Sequence, residues 1–202
     1  MKQTILMLLA VIVMMACQQQ HSKQETLQVK HDEVVLPVVE VYTIGEVSED
    51  LCEAMLDSLK SHYPNCRRAG KLPLPQSAFY SPRHRYLADS LVSYLENKHT
   101  KDNIIVGLTA VDISLCNFRG HNNYGIMGLA NRVGGGVCVF SNYRKKSKDG
   151  MFQLMRHELG HAVGLRHYKT ADCLMHDADG KDLKGGKFCQ TCDLFLTKKG
   201  WK

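Results

Sequence analysis

The segment HELGHAVGLRH, residues 157–167, constrains this chain more than any other part of the sequence. On a helix, side chains four residues apart lie on one face, so His157 and His161 can direct two imidazoles at one point. Zn²⁺ binds imidazole nitrogen, and a catalytic zinc site combines three protein ligands with one open position. The spacing therefore predicts a helix that carries two ligands of a metal ion.

The third histidine of this segment lies beyond a glycine. A continuous helix would turn His167 to a different face from His161. Gly164 can adopt a positive φ without a Cβ penalty, so it can end the helix and turn the chain back toward the metal. We therefore predict His167 as the third zinc ligand. The alternative is an amphipathic helix whose histidines are unrelated polar-face residues, which would make the glutamate, the glycine and the third histidine coincidental.

The glutamate inside the segment has a separate predicted role. Glu158 follows His157 and lies near the same face, where it can hold a water that zinc activates but cannot easily bind the metal as well. A carboxylate in that position can take a proton during attack on a carbonyl and pass it to a leaving amine. We predict Glu158 as the general base and acid of a zinc hydrolase.

The sequence after the histidines resembles a known family. HELGHAVGLRH followed by CLM, residues 173–175, resembles the metzincin zinc metallopeptidases, with Met175 as the Met-turn residue beneath the zinc ligands. The archaemetzincins are a closer match, because their pattern continues with Cys-x-Met and a distant Cys-x-x-Cys. Stretches upstream, LTAVDIS, YGIMGLAN and RHRYLADSL, extend the resemblance over about residues 34–196.

This resemblance implies a fold and an activity. The fold would be of the α+β class and metzincin-like, with a twisted mixed sheet, an active-site helix, a Met-turn and a short C-terminal subdomain. The activity would be zinc-dependent hydrolysis of peptide bonds in a peptide or protein substrate. By the same resemblance, an edge strand near 137–141 would line the cleft and pair with the peptide.

One departure from the family pattern concerns a second zinc. In archaemetzincins a cysteine follows the third histidine and joins three others in a structural zinc site, whereas here that residue is Tyr168. The resemblance leaves three possible ligands, Cys173, Cys189 and Cys192. A closed structural site needs four ligands, and the fourth could be His176, Cys116, Cys138 or a water. Alternatively, Cys189 and Cys192 form a disulfide or stay reduced without metal.

The N-terminus predicts export. Residues 1–17, MKQTILMLLAVIVMMAC, place a lysine before an apolar run and Ala16 before Cys17, as in a bacterial lipoprotein signal. We predict a signal peptide at 1–16, a lipid on Cys17, a polar tether at 17–33 and one domain at 34–202. The protein would then be lipid-anchored in the bacterial cell envelope. A plain secretory signal with a structural cysteine is the alternative.

Composition limits the remaining possibilities. The chain has 202 residues, 44% of them hydrophobic, and a net charge of +6 without long basic blocks, so we expect a globular domain and no nucleic-acid partner. We also expect a monomer. An odd number of cysteines remains if Cys17 is lipidated, so disulfides alone do not account for them, although Cys52 and Cys66 could pair. The competing function is an envelope zinc- or peptide-binding protein with little hydrolysis.

Hydrophobic periodicity and turn residues predict the order of elements. His84 is expected at a helix start, and His121 in a polar loop near the cleft. The predicted strands are 34–45, 103–113 and short segments within 124–133 and 136–143. The predicted helices are 48–63, 83–99, 149–164 and a short one near 189–200.

Overall fold

The structure is a computed structural model that describes residues 36–118, 120–145, 147–177 and 186–201. The chain divides into Met1–Val34 and Val35–Lys202, and every described residue belongs to the second unit. The predicted signal peptide, the tether and the lipid site at Cys17 lie outside the described residues and stay predictions. Among the helices that are described, none has the length and apolar composition needed to cross a membrane.

Nine strands and four helices make up the described fold. The strands are β1 (Val38–Ile44), β2 (Cys66–Leu72), β3 (Phe79–Tyr80), β4 (Arg85–Leu87), β5 (Asn103–Thr109), β6 (Ile113–Phe118), β7 (His121–Ile126), β8 (Gly128–Ala130) and β9 (Val137–Ser141). The helices are α1 (Glu49–Lys60), α2 (Ala88–Glu96), α3 (Lys148–Val163) and α4 (Gln190–Lys198).

The main sheet has the order β2-β1-β5-β9-β8, in which all neighbours are parallel except the antiparallel pair β8 and β9. Its central strands are buried on both faces, because helices cover both sides of the sheet. Successive side chains of a strand point to opposite sides, so neighbouring residues enter different clusters. In β5, Ile104 and Val106 pack in a cluster with α1 and α3, whereas Ile105 packs in a second cluster with α2. The sheet thus holds α3, the predicted active-site helix, against one face.

A second, smaller sheet has the order β3-β4-β6-β7. The strands β4 and β6 are parallel and the other neighbours are antiparallel. β6 and β7 form a hairpin that leads directly into β8 of the main sheet. This connection carries residues of the smaller sheet close to the edge of the larger one.

The prediction that residues 137–141 form the edge strand is wrong, because one more strand lies outside them in the sheet. β9, which contains 137–141, lies between β5 and β8, and all five of its residues are buried. The edge strand is β8, because the chain returns antiparallel through a glycine-containing turn and places Gly128–Ala130 outside β9. Any peptide that pairs with this edge of the sheet must pair with β8.

Two other predictions change at the level of single elements. The helix predicted at 83–99 begins only at Ala88, because Tyr86 and Leu87 pair with Ile113 and Ser114 of β6 as a strand. The predicted strand 103–113 is divided between β5 and the start of β6, which belong to different sheets. β2 was not predicted, since its sequence CRRAGKL lacks an apolar pattern.

The thiols of the described residues are unpaired. The structure has seven described cysteines and all are free, so the possible pairing of Cys52 with Cys66 does not occur. Both of these thiols lie in the core cluster beneath the main sheet. Their burial raises the pKa of each thiol above its ordinary value, which keeps them neutral.

Candidate active site

Helix α3 carries the first two histidines and ends where the sequence predicts. Ser147 caps its start by accepting a hydrogen bond from the Gly150 amide at 3.2 Å. At the other end, Gly164 has a φ of +125°, and the amide of Leu165 donates to the Gly160 carbonyl at 2.8 Å. A Cβ on Gly164 would also lie 3.1 Å from Phe195 Cζ, so both conformation and space favour glycine here.

The three histidines converge on one point. Nε2 of His161 lies 3.2 Å from Nε2 of His157 and 3.1 Å from Nε2 of His167. Nitrogen ligands at the corners of a tetrahedron around zinc are about 3.3 Å apart for the usual Zn–N distance. The turn at Gly164 therefore brings His167 back to the two helix histidines. Two of the three separations match a tetrahedral zinc site, and one ligand atom from each of the three rings lies within 4.8 Å of the others.

Backbone carbonyls orient two of these rings. His157 Nδ1 lies 2.7 Å from the Leu174 carbonyl, and His161 Nδ1 lies 2.8 Å from the Leu165 carbonyl. A carbonyl oxygen only accepts, so Nδ1 carries the proton in both rings and the Nε2 lone pair faces the common point. His167 Nδ1 lies 3.7 Å from a carboxylate oxygen of Asp177.

The protonation of the rings also suits metal binding. Burial lowers the pKa of His157 to about 4 and lowers that of His161 in the same direction. Neutral imidazole is the form that binds a metal ion. Solvent exposure increases from buried His157 through His161 to exposed His167, so the point where the rings meet is accessible from solvent on the side of His167. This donor set fits zinc.

Glu158 is buried against the edge strand. Its side chain packs on the backbone of Gly128 in β8, where an added Cβ would lie 2.6 Å from Glu158 Cγ and Oε1. Burial raises the pKa of this carboxyl to about 8, whereas a divalent cation at the neighbouring imidazoles would favour its ionised form. Because Gly128 has no Cβ, the Glu158 carboxylate can pack directly against the edge strand.

Met175 lies beneath the helix that carries the histidines. It is fully buried, and its Sδ would be 2.8 Å from a Cβ added to Gly160, the residue before His161. The Met175 carbonyl accepts a hydrogen bond from the Tyr168 amide at 2.8 Å, which ties this turn to the segment after His167. The methionine therefore supports the helix at the position of the ligands.

The three remaining family cysteines form a second cluster. The sulfur atoms of Cys173, Cys189 and Cys192 lie within 4.8 Å of one another, and those of Cys173 and Cys192 are 3.8 Å apart. Sulfur ligands around a tetrahedral zinc are also about 3.8 Å apart. All three are free thiols, so the disulfide alternative is not what the structure contains.

The proposed fourth ligands do not join this cluster. Cys116 is exposed on β6, Cys138 is buried in β9, and His176 Nδ1 lies 3.3 Å from the Tyr168 carbonyl. Tyr168 itself reaches α4, where its hydroxyl lies 3.4 Å from Thr191 Oγ1. None of Cys116, Cys138 and His176 belongs to the group that the three sulfur atoms form among the described residues.

The pKa values of two thiols in this cluster are shifted in opposite directions. Burial raises the pKa of Cys189, but hydrogen bonds from Cys192 and from the Cys173 thiol outweigh burial and lower it overall. Burial raises the pKa of Cys192, and its cluster partners raise it further. The thiolate is the form that binds zinc, so the lowered pKa of Cys189 favours metal binding at this residue.

Comparison with known proteins decides the family. The sequence model of peptidase family M54 matches residues 68–198. The chain belongs to peptidase family M54, the archaemetzincin family. It is accordingly a zinc-dependent metallopeptidase, and the predicted family, fold class and enzyme class are confirmed.

The chain is similar to archaemetzincins over most of its length. It is 28% identical to the archaemetzincin of Nanoarchaeum equitans over 73% of this chain and 83% of that protein. It is 29% identical to the archaemetzincin of Haloarcula marismortui over 76% and 96%. The crystal structure of the Methanopyrus kandleri archaemetzincin has the same fold, with a TM-score of 0.64 and 21% identity over 81% of this chain and 95% of that one.

Sequence reasoning missed two glycines of this archaemetzincin site. Gly160 admits Met175 against the helix, and Gly128 admits Glu158 against the edge strand. Gly160 had a readable signal, because glycine inside a helix costs about 1 kcal/mol relative to alanine and so indicates a close contact. Gly128 had none, since its partner lies thirty residues away in the sequence.

Proposed function

We propose that this metallopeptidase cleaves peptide bonds at the point where His157, His161 and His167 meet, with these three residues holding the catalytic zinc. The observation that carries the proposal is the pair of Nε2 separations, 3.2 and 3.1 Å, beside a buried carboxylate. When bound, zinc supplies the Lewis acid that polarises a scissile carbonyl and acidifies water.

Glu158 is the general base and acid in this proposal. It takes the proton of the attacking water and returns it to the nitrogen of the leaving amine. Its position supports this role, because the Gly128 backbone and the surrounding core hold the carboxylate in one place and keep it largely out of bulk water. The carbonyl hydrogen bonds to His157 and His161 hold the rings in the matching orientation.

The substrate is proposed to lie along β8. This strand pairs with β9 on one side and has no strand partner on its other side within the described residues. An extended peptide can add to such an edge through backbone hydrogen bonds. A peptide placed there passes Gly128 and therefore Glu158, which brings a scissile bond to the carboxylate.

Met175 is proposed as the Met-turn residue of the family. Its burial beneath Gly160 supports this role, since a soft apolar side chain fills the space under the ligand-bearing turn without binding the metal. The contacts described for its side chain are packing contacts.

Digestion of an unbiased peptide library by the zinc-loaded protein tests the proposed function. We expect cleavage of a subset of peptides, loss of cleavage on chelation, and recovery when zinc is added back. Mass spectrometry of the products gives the scissile bonds. Intact peptides after incubation with fully zinc-loaded protein would instead support the alternative of a zinc- or peptide-binding protein.

We further propose a second, structural zinc at Cys173, Cys189 and Cys192. Elemental analysis of the purified protein should then give two zinc atoms per chain, and Cys189→Ser should reduce this to one. Cys116→Ser is the matched control, because that thiol is exposed on β6 and outside the cluster. One zinc per chain, unchanged by Cys189→Ser, would contradict the second site and leave the histidine site intact.

A further inference from the structure

A polar cavity of about 370 Å³ lies away from the three histidines, between β4, β7 and the segment that follows β9. Its walls include three arginines and a histidine: Arg83, Arg85, Arg144 and His121. His121 was predicted in a loop, but it begins strand β7 and lines this cavity. No acidic residue is among the described residues that line it.

The three arginines of this cavity carry more positive charge than the carboxylate that pairs with them can neutralise. Asp112 accepts from Arg85 Nε at 2.8 Å and from Arg144 Nε and Nη2 at 2.8 and 2.9 Å. One carboxylate thus serves two guanidinium groups, and Arg83 forms no ion pair with any residue that the structure describes. Three positive charges against one negative charge leave an excess of two.

Two of the three guanidinium groups, those of Arg85 and Arg144, are held in place before any ligand arrives. Arg85 Nη1 donates to the Asn123 carbonyl at 2.9 Å, and the buried Asn123 side chain accepts from Ser114 Oγ at 2.9 Å. Asn123 has a φ of +55°, so the residue that accepts from Arg85 is in the left-handed conformation. Gly125 has no Cβ, and the Arg144 guanidinium fills the space where one would be. Fixed guanidinium groups lose little entropy on binding a carboxylate.

The cavity also lies close to the proposed path of the substrate. Gly125 in its wall is three residues before Gly128, the residue that touches Glu158. The chain bends at Met127 between the two sheets, so the Cα atoms of Gly125 and Gly128 are at most about 10 Å apart. The connection is held in place, because the Ser141 amide donates to the Met127 carbonyl at 2.8 Å.

We propose that this cavity binds a carboxylate of the peptide substrate, carried within about three residues of the scissile bond. The proposal rests on the proposed function. The carboxylate is either an acidic side chain or the C-terminus of the peptide, and both would meet the same guanidinium groups. The cavity thereby makes the enzyme select substrates by negative charge at a fixed distance from the cleaved bond.

The experiment starts from a peptide that the library digestion shows to be cleaved. Glutamate and glutamine versions are compared at each of the four positions on either side of the bond, and a free C-terminus is compared with an amidated one. We expect kcat/KM to be about tenfold higher for the acidic member at one position, as for a charge-assisted hydrogen bond. The position, or the C-terminal pair, identifies the source of the carboxylate.

Substitution of Arg83 then assigns this preference to the cavity. Arg83→Gln should reduce the tenfold ratio to about threefold or less, and Arg83→Glu should favour lysine over glutamate at the same position. Lys101→Gln is the matched control, because it removes one positive charge from an exposed turn at the start of β5 and should keep the ratio.

Failure of the proposal is distinguishable from failure of the proposed function. Equal rates for acidic and neutral peptides at every position, with cleavage intact, overturn the cavity assignment alone. An equal loss of preference in Lys101→Gln and Arg83→Gln overturns it too, because long-range charge then explains the selectivity. If no peptide is cleaved, binding is measured instead, by fluorescence anisotropy with a labelled glutamate-containing peptide pool and its glutamine counterpart. Equal affinities for the two pools overturn the proposal.

Discussion

Glu158→Gln is expected to lower kcat/KM on the order of 10³- to 10⁴-fold while the zinc content stays at the parent value. The amide nearly matches the carboxylate in size, so it can occupy the space against Gly128, but it cannot accept and return a proton. The three imidazole ligands are unchanged. Steady-state kinetics on a cleaved peptide, with elemental analysis of the same preparation, measures both quantities.

Two further variants make this result specific. Glu53→Gln removes the same charge from an exposed position on α1 and should leave kcat/KM at the parent value. Gly128→Ala keeps Glu158 but places a Cβ 2.6 Å from its Cγ and Oε1, so the carboxylate must move. We expect a loss of about tenfold or more, since a displacement near 1 Å can cost about 100-fold. Parent-like turnover in Glu158→Gln would exclude this residue as the base.

His161→Ala is expected to weaken binding of the catalytic zinc by at least about 100-fold. Binding free energies of protein zinc sites are on the order of 10 kcal/mol, so removing one of three ligands costs roughly 3 kcal/mol. His161 is the central ligand, because its Nε2 lies next to those of both other histidines. Hydrolysis should be lost at zinc concentrations that saturate the parent chain.

Competition with a chelator measures the zinc affinity, and the rise in Tm on adding zinc gives a second measure. His62→Gln is the matched control, because His62 packs on Phe152 just after α1 and is outside the described group of three converging imidazoles. The thiol cluster should keep its zinc in both variants. An unchanged affinity in His161→Ala, with the second site accounted for, would mean that the histidines do not hold the metal.

The most informative features of the sequence were local patterns, in which the residues involved lie within a few positions of one another. The i, i+4 spacing of His157 and His161 and the conformational freedom of Gly164 act within a few residues, so they predict the geometry of three ligands before the fold is known. The apolar runs of β1 and β5 predict central strands for the same reason. The resemblance to archaemetzincins then supplied the connectivity that such patterns do not contain.

Elements held by partners distant in sequence could not be predicted in this way. β2 is polar, and pairing with β1 holds it, together with ion pairs from Arg67 to Glu40 and from Arg68 to Glu49. Residues 85–87 continue a helical pattern, but pairing of Tyr86 and Leu87 with β6 makes them a strand. In both segments, hydrogen bonds to another strand outweigh the local preference.

By itself, the sequence determined that His157, His161 and His167 converge, because the i, i+4 spacing and the turn at Gly164 fix that geometry through short-range backbone conformation. Only the tertiary structure decided that β8 forms the sheet edge, that Gly128 packs against Glu158, and that arginines from two distant segments, 83–85 and 144, line one cavity. The physical reason is that these features arise from contacts between residues far apart in the chain. No periodicity or spacing within the chain encodes them.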